Sequence, residues 1–337
     1  MARPKTNLEL VKETDSFPNE TTDPAAYEEA TQHLYTWVVS DRGNVVPVGF
    51  MLPAVVEQIT ALPEELRGEV GVQPHTRTIT AFAGPAEEDR SKKIAKVTDY
   101  WREQRTFTAL SKWRNELFPV YSSESDLAYN IERAACGLFG INTFGVHLTA
   151  FVRCKDSSYG LKIWVPTRAA TKSSFPGMLD NTVAGGLTAG EDPLECVIRE
   201  ADEEASLPEA LVRSNAVPCG TVTYITITDE RSGGESGLIC PECEWIYDLE
   251  LPADVIPKPK DGEVESFNLC TVEEIKEELG RGRFKPNCAS VMLDFFIRHG
   301  IITKETEEDF DEINRHLHRP LPFPGPQGAG TWTRWTN

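Results

Sequence analysis

Between Asp192 and Pro208 the chain encodes a helix with two unlike sides, and this stretch limits the possible folds more than any other. Asp192 can accept from the free amides of a first turn, and Pro193 fits that turn without losing a hydrogen bond. Glu195 completes a capping-box-like start, and Pro208 closes the segment. Leu194, Val197, Ile198, Ala201 and Ala205 recur at i, i+3, i+4, i+7 and i+11, an apolar stripe that must face a core. At about 100° per residue, Glu200, Glu203 and Glu204 fall together on a side that borders this stripe.

The partners for that stripe are strand-like runs at 145–152, 161–166, 221–228 and 244–251, interrupted by helical stretches at 193–206, 271–279 and 286–298, the last capped by Gly300. Strands and helices mixed without strict alternation predict a layered α+β domain. Upstream, a strand, turn and strand over 35–51, a helix from Pro53 to Ile59, a strand at 76–82 and a helix at 93–117 predict a small α+β unit over 26–135. Its Trp37, Trp101 and Trp113 read as core. Residues 1–25, polar and broken by Pro18 and Pro24, read as a disordered lead. The stretch 303–337, acidic and then rich in Pro and Gly, reads as a loosely ordered tail whose His316 and His318 are solvated.

The 337 residues hold 34 Lys and Arg against 53 Asp and Glu, a net charge of -19 that repels a polyanionic backbone and argues against nucleic acid as a partner. A phosphorylated small molecule would need bound cations or a local basic pocket. No apolar run reaches bilayer length, which argues against a membrane role, and residues 1–24 lack the apolar stretch of a secretory signal, so the cytosol is the expected compartment. Eight scattered cysteines read as free thiols; Cys240 and Cys243 have metal-ligand spacing, but no second Cys or His pair lies close by. The oligomeric state is not encoded in any pattern.

Three carboxylates at i, i+3 and i+4 repel one another by a few tenths of a kcal/mol per exposed pair and by more once desolvated. A divalent cation removes that cost. Hard cations such as Mg2+ bind a few carboxylates and carbonyls and fill their remaining positions with water and substrate phosphate oxygens.

The segment GGLTAGEDPLECVIREADEEASL, residues 185–207, places Gly185, Glu191, Arg199, Glu200, Glu203 and Glu204 in the register of the Nudix box, G-x5-E-x7-R-E-U-x-E-E-x-G-U, and resembles that family. It departs at Ser206, where the family pattern has Gly, and at Ala201, an aliphatic position. The resemblance implies a Nudix α/β/α sandwich with a mixed sheet over 136–302, preceded by the small α+β domain. It also implies Mg2+, with Mn2+ as an alternative, held by Glu200 and Glu204 with Glu203 and the carbonyl of Gly185. Glu203 would share a second cation or help activate water, Arg199 would orient the glutamates, and Glu191 would support the loop by ion pairing. A later acid is implied at Glu263, with Glu265 as the fallback. Arg168, Lys172 and Asp180, upstream of the box, are the candidate substrate contacts, and Lys162 is a further nearby cation.

ERAACGLFGINTFGVHLTAFV, KIWVPTRAATKSSFPGMLDNTVAGG and FKPNCASVMLDFFIRHG extend the resemblance, over 28–300, to the eukaryotic Nudix subfamily labelled thiamine pyrophosphokinase-related. The implied activity is hydrolysis of thiamine diphosphate, or of its oxidised or damaged analogues, to the monophosphate. Oxidised nucleoside diphosphates are the alternative substrate, and a non-catalytic binding protein is the alternative class. Transfer of pyrophosphate from ATP is disfavoured, because no P-loop sequence occurs in the chain.

Overall fold

A computed structural model describes residues 3–327. The chain begins with α1 (Asn7–Thr14) and α2 (Pro24–Thr31), followed by β1 (Tyr35–Asp41), β2 (Asn44–Met51), α3 (Pro53–Thr60), α4 (Glu64–Arg67), β3 (Gly71–Gln73), β4 (Thr78–Thr80) and α5 (Glu87–Gln104). A hairpin of β5 (Leu117–Tyr121) and β6 (Leu127–Glu132) and the short α6 (Cys136–Phe139) complete this first unit. There follow β7 (Thr143–Arg153), β8 (Leu161–Arg168), β9 (Val183–Gly186), α7 (Pro193–Ala205), α8 (Glu209–Asn215), β10 (Ala216–Ile227) and β11 (Ile239–Glu250). The described chain finishes with β12 (Val264–Cys270), α9 (Val272–Gly280), α10 (Pro286–Arg298) and α11 (Phe310–Leu317).

The first unit has a four-stranded sheet in the order β2-β1-β4-β3. Its core gathers Trp37 and Trp101 with Phe82, Tyr129 and Phe139, and Trp113 packs at its edge. The helix expected over 93–117 instead starts at Glu87 and stops at Gln104, because Arg105 turns left-handed (φ 55°) and the chain then leaves the helical path. Cys136, Leu138, Phe139 and Ile141 also pack into this core, so the first unit extends beyond the expected limit at 135.

The second sheet runs β10-β11-β7-β8-β12, with β9 paired to β7. Only β11 and β7 are parallel; the other pairs are antiparallel, which makes the sheet mixed. Period-two alternation sends Val146, Leu148, Cys243 and Trp245 toward α7, and Phe151, Ile163, Tyr224 and Ile246 toward α10. The two apolar faces make an α/β/α sandwich.

Residues 7–18 are ordered, contrary to the expected disordered lead. Thr6 and Glu9 form a capping box, and Leu10 and Val11 are buried in the core around α10. Asp15 accepts from Ile225 N–H at 3.0 Å and from Arg319 at 2.9 Å. The tail is likewise ordered over α11, where Ile313 and Leu317 are buried, and His316 bonds Asp15 at 2.8 Å instead of lying in solvent. Both expectations rested on local composition, whereas the partners that order these segments lie some 200–300 residues away in sequence. The part of the tail at 328–337 lies outside the described residues. No helix among the described residues is long and apolar enough to cross a membrane.

Candidate active site

Asp192 caps α7 by accepting from Leu194 and Glu195 N–H, while Glu195 pairs outward with Arg213 and closes no capping box. Cys196, Val197, Ile198, Ala201 and Ala205 are buried under β7 and β11. Burial of side chains the size of Val197 and Ile198 contributes about 1.5–3 kcal/mol each, enough to fix which side of the helix turns outward. Ser206 adopts the left-handed conformation (φ 54°) that the family pattern reserves for Gly, so the turn after the helix survives the substitution.

This rotation brings the glutamates to the edge of β9. Arg199 lies among them, 2.8 Å from Glu191, 2.8 Å from Glu200 and 3.1 Å from Glu203. Glu191 also accepts from the Thr188 hydroxyl at 3.0 Å, which ties the preceding loop to the helix. Glu204 accepts the N–H of Ala184 at 3.0 Å. A Cβ on Gly185 would overlap the Glu200 carboxyl, so that position holds a glycine because carboxylate and backbone meet there.

Burial raises the Glu200 carboxyl to about 7 against the opposing pull of Arg199, with Glu203 adding to the rise. Burial raises Glu204 well above its usual range, and Asp180 and Glu200 push it further. Both acids are desolvated; Glu200 has Arg199 beside it, whereas Glu204 faces Asp180 and Glu200, an arrangement that costs free energy until a cation arrives. The donor set is all oxygen, which suits Mg2+ or Mn2+. Among the described residues no three His, Cys, Asp or Glu side chains already converge on one point, since Arg199 and Ala184 N–H hold the carboxylates apart.

Glu263 stands across from the helix at the start of β12, ion-paired with Lys172, whose charge offsets burial and lowers its carboxyl. Glu265 is exposed on β12. Arg168 and Asp180 are not open to a substrate: they form a buried pair at 2.5 Å. Arg168 also donates to the Ser174 and Phe175 carbonyls at 3.0 and 3.1 Å, pinning the loop between β8 and β9. Burial works against the Asp180 carboxylate, but Lys285 and Arg168 hold it at about 2.

Beyond Gly185 lies a cavity of about 280 Å³ between the two units. The second unit provides Gly145 and His147 of β7 and Glu242 and Glu244 of β11; the first provides Phe118, Arg133 and Ile141. Phe118 and Arg133 rest on β9: a Cβ on Gly186 would come within 2.7 Å of the Phe118 ring and 3.4 Å of the Arg133 guanidinium. Arg133 pairs with Glu116 at 2.8 Å and is also attracted by Glu200. None of these residues was among the expected site residues. One signal was present: Glu242 and Glu244 stand two apart at the start of a strand, which puts two acids on one face of it.

The eight cysteines are free thiols. Cys240 lines the cavity while Cys243, three residues along the same strand, is buried toward α7, so the CPEC pair does not converge.

Residues 146–288 match the family model described as the NUDIX domain, and residues 21–143 match one described as a domain of unknown function, DUF4743. The uncharacterized protein YJR142W of Saccharomyces cerevisiae is 34% identical over 321 residues, covering 94% of this chain and 92% of the yeast protein. Nudix hydrolase 20 and Nudix hydrolase 24 of Arabidopsis thaliana, both named as chloroplastic, are 36% and 34% identical over 234 and 230 residues. Those alignments cover 69% and 68% of this chain, and the chain spans 59% of the length of each plant protein.

Proposed function

The chain belongs to the Nudix hydrolase superfamily, and from that premise we propose that it hydrolyses thiamine diphosphate, or oxidised or damaged analogues of it, to the monophosphate. The observation that carries the hydrolase reading is the desolvated pair Glu200 and Glu204 beneath Gly185, beside a cavity. The thiamine-type substrate rests on the sequence resemblance over 28–300.

Glu200, Glu203 and Glu204, with the carbonyl of Gly185, would hold Mg2+, for which Mn2+ can substitute. When bound, such a cation neutralises charge on the phosphoryl oxygens and lowers the pKa of a bound water. Arg199, fixed by Glu191, keeps Glu200 and Glu203 in one arrangement and limits their repulsion. Glu203 has a half-exposed side chain, so it can accept a proton from an attacking water at the mouth of the site. Glu263, its charge held by Lys172, would take the same role as an alternative. Lys172 can turn from Glu263 to a substrate phosphate, and Arg168 with Asp180 shapes the loop that carries it. The cytosol is the compartment we propose, and fractionation of cells expressing the tagged protein tests it.

Release of phosphate, with mass identification of the organic product, is measured with Mg2+ across thiamine, oxothiamine, nucleoside and sugar diphosphates. We expect thiamine-type esters to be the best substrates and Glu204→Gln to abolish turnover. A preference for oxidised nucleoside diphosphates would replace the substrate reading. Equal rates in parent and Glu204→Gln would remove the proposed site.

A further inference from the structure

The cavity beyond Gly185 has an uneven wall. On β11, Glu242 and Glu244 both face it, and the Tyr224 hydroxyl lies 2.6 Å from the first and 2.9 Å from the second. A phenol has one proton to donate, so it can satisfy only one of two carboxylates. His147 attends only one of them: its Nε2 lies 3.7 Å from Glu244, an ion-pair distance, and its Nδ1 is bonded to Asn181 at 2.8 Å. Lys285 lines the same cavity but makes no ion pair within 4 Å among the described residues. Glu242 and Glu244 therefore share a single phenolic hydrogen, and the cavity wall they line, which also carries Arg133 and Lys285, presents them as acceptors to whatever enters.

We propose that this cavity seats the organic group of the substrate, and that Glu242, with Glu244, selects groups that are cationic or rich in N–H donors. The proposal rests on the hydrolase reading above and adds residues that decide specificity. The position suits the role: Gly185 lines the cavity and borders Glu200, so a diphosphate held at the carboxylates would carry its organic end toward β11. Phe118 and Phe144 supply apolar surface for a flat ring, and a volume of about 280 Å³ fits a heterocycle. Tyr224 acts as a positioning residue, fixing the carboxylates on which the ligand's donors would converge. The first unit is then part of the specificity pocket, through Phe118 and Arg133.

The test compares kcat/KM, with Mg2+, for a cationic aminopyrimidine ester (thiamine diphosphate) and an uncharged alkyl ester (dimethylallyl diphosphate) in the parent and in Glu242→Gln. A charge-assisted hydrogen bond contributes about 1.5–3 kcal/mol, so the cationic ester should lose about 10–100-fold while the alkyl ester changes by less than about threefold. Equal losses for both esters, or none, would overturn the proposal and leave the hydrolase reading standing. Calorimetric titration without divalent ions provides a second measurement, using thiamine and dimethylallyl alcohol against the parent. Saturable binding of thiamine alone supports the pocket even if no diphosphate is turned over, in which case the hydrolase reading is the one that fails. Equal binding of both alcohols, or binding of neither, sinks the pocket whatever Glu242→Gln does to folding.

Discussion

Asp180 and Glu204 are both deeply set carboxylates at the β9 end of the site, close enough to feel each other's charge, yet their surroundings are opposites. Asp180 meets Arg168 at 2.5 Å and stays ionised down to about pH 2. Glu204 has one backbone N–H, faces Asp180 and Glu200, and is raised well above its normal range. The same contrast recurs more widely. Asp248 is matched by Arg298 at 2.6 and 3.0 Å and by His299 at 2.8 Å, and Asp15 is matched by Arg319 and His316. By the cavity, Glu242 is raised to about 7 by burial and by Glu244. The acids that hold the fold together come with their cations, whereas Glu204 and Glu242 make no ion pair among the described residues.

Substitution can break this comparison at either end. The largest effect belongs to Glu204→Gln: turnover should fall by about 10³-fold or more, roughly 4 kcal/mol in the barrier. Thermal stability without divalent ions should hold or rise by about 1 kcal/mol, because a repelling charge has gone. Calorimetry in EDTA checks this, and clear destabilisation would mean that Glu204 is a structural acid. Arg319→Leu tests the opposite class. Stranding Asp15 should cost about 3–5 kcal/mol of stability, read by urea unfolding, with kcat of the folded protein unchanged.

The third effect is a pH profile. Asp180 has a folded value of about 2, below its unfolded range, so its contribution is fully present above about pH 4 and disappears as pH falls toward 2. It amounts to about 2 kcal/mol. Stability against pH for the parent and for Asp180→Asn should therefore differ in slope between about pH 4 and 2, and parallel curves would remove the pair from the structural class. The smallest effect is at Ser206. Relief of left-handed strain, about 1 kcal/mol, is offset by loss of the 2.9 Å bond to the Lys258 carbonyl. Ser206→Gly should stay within about 1 kcal/mol of the parent with unchanged kcat/KM.

The difference between paired and unpaired acids also explains which parts could be read in the sequence. The α7 stripe and the bounds of α10 follow from local periodicity, so the sequence alone sets the glutamates beside a core. β9 is four residues, VAGG, with no strand signature, and forms because β7 presents a free edge to it. Arg168 and Asp180 looked like substrate contacts because sequence shows charge but not whether the charge is already matched. Arg133 and Phe118 come from a separate unit, and only the packing of that unit on Gly186 brings them to the site. Glu242 lay just outside the strand expected at 244–251, although β11 begins at Ile239.

The clasp between Asp15 and Arg319 has a consequence for the order of events during synthesis. The two residues are 304 positions apart, and residues 7–18 are made long before the surface they dock on. At roughly 5–20 residues per second the interval is on the order of a quarter of a minute to a minute. Phe17 waits for β10, and Leu10 and Val11 wait for α10; until those elements are made, the three remain open to chaperones or to misassociation. Residues 7–18 are thus made early and settle late, once residues 286–319 are in place.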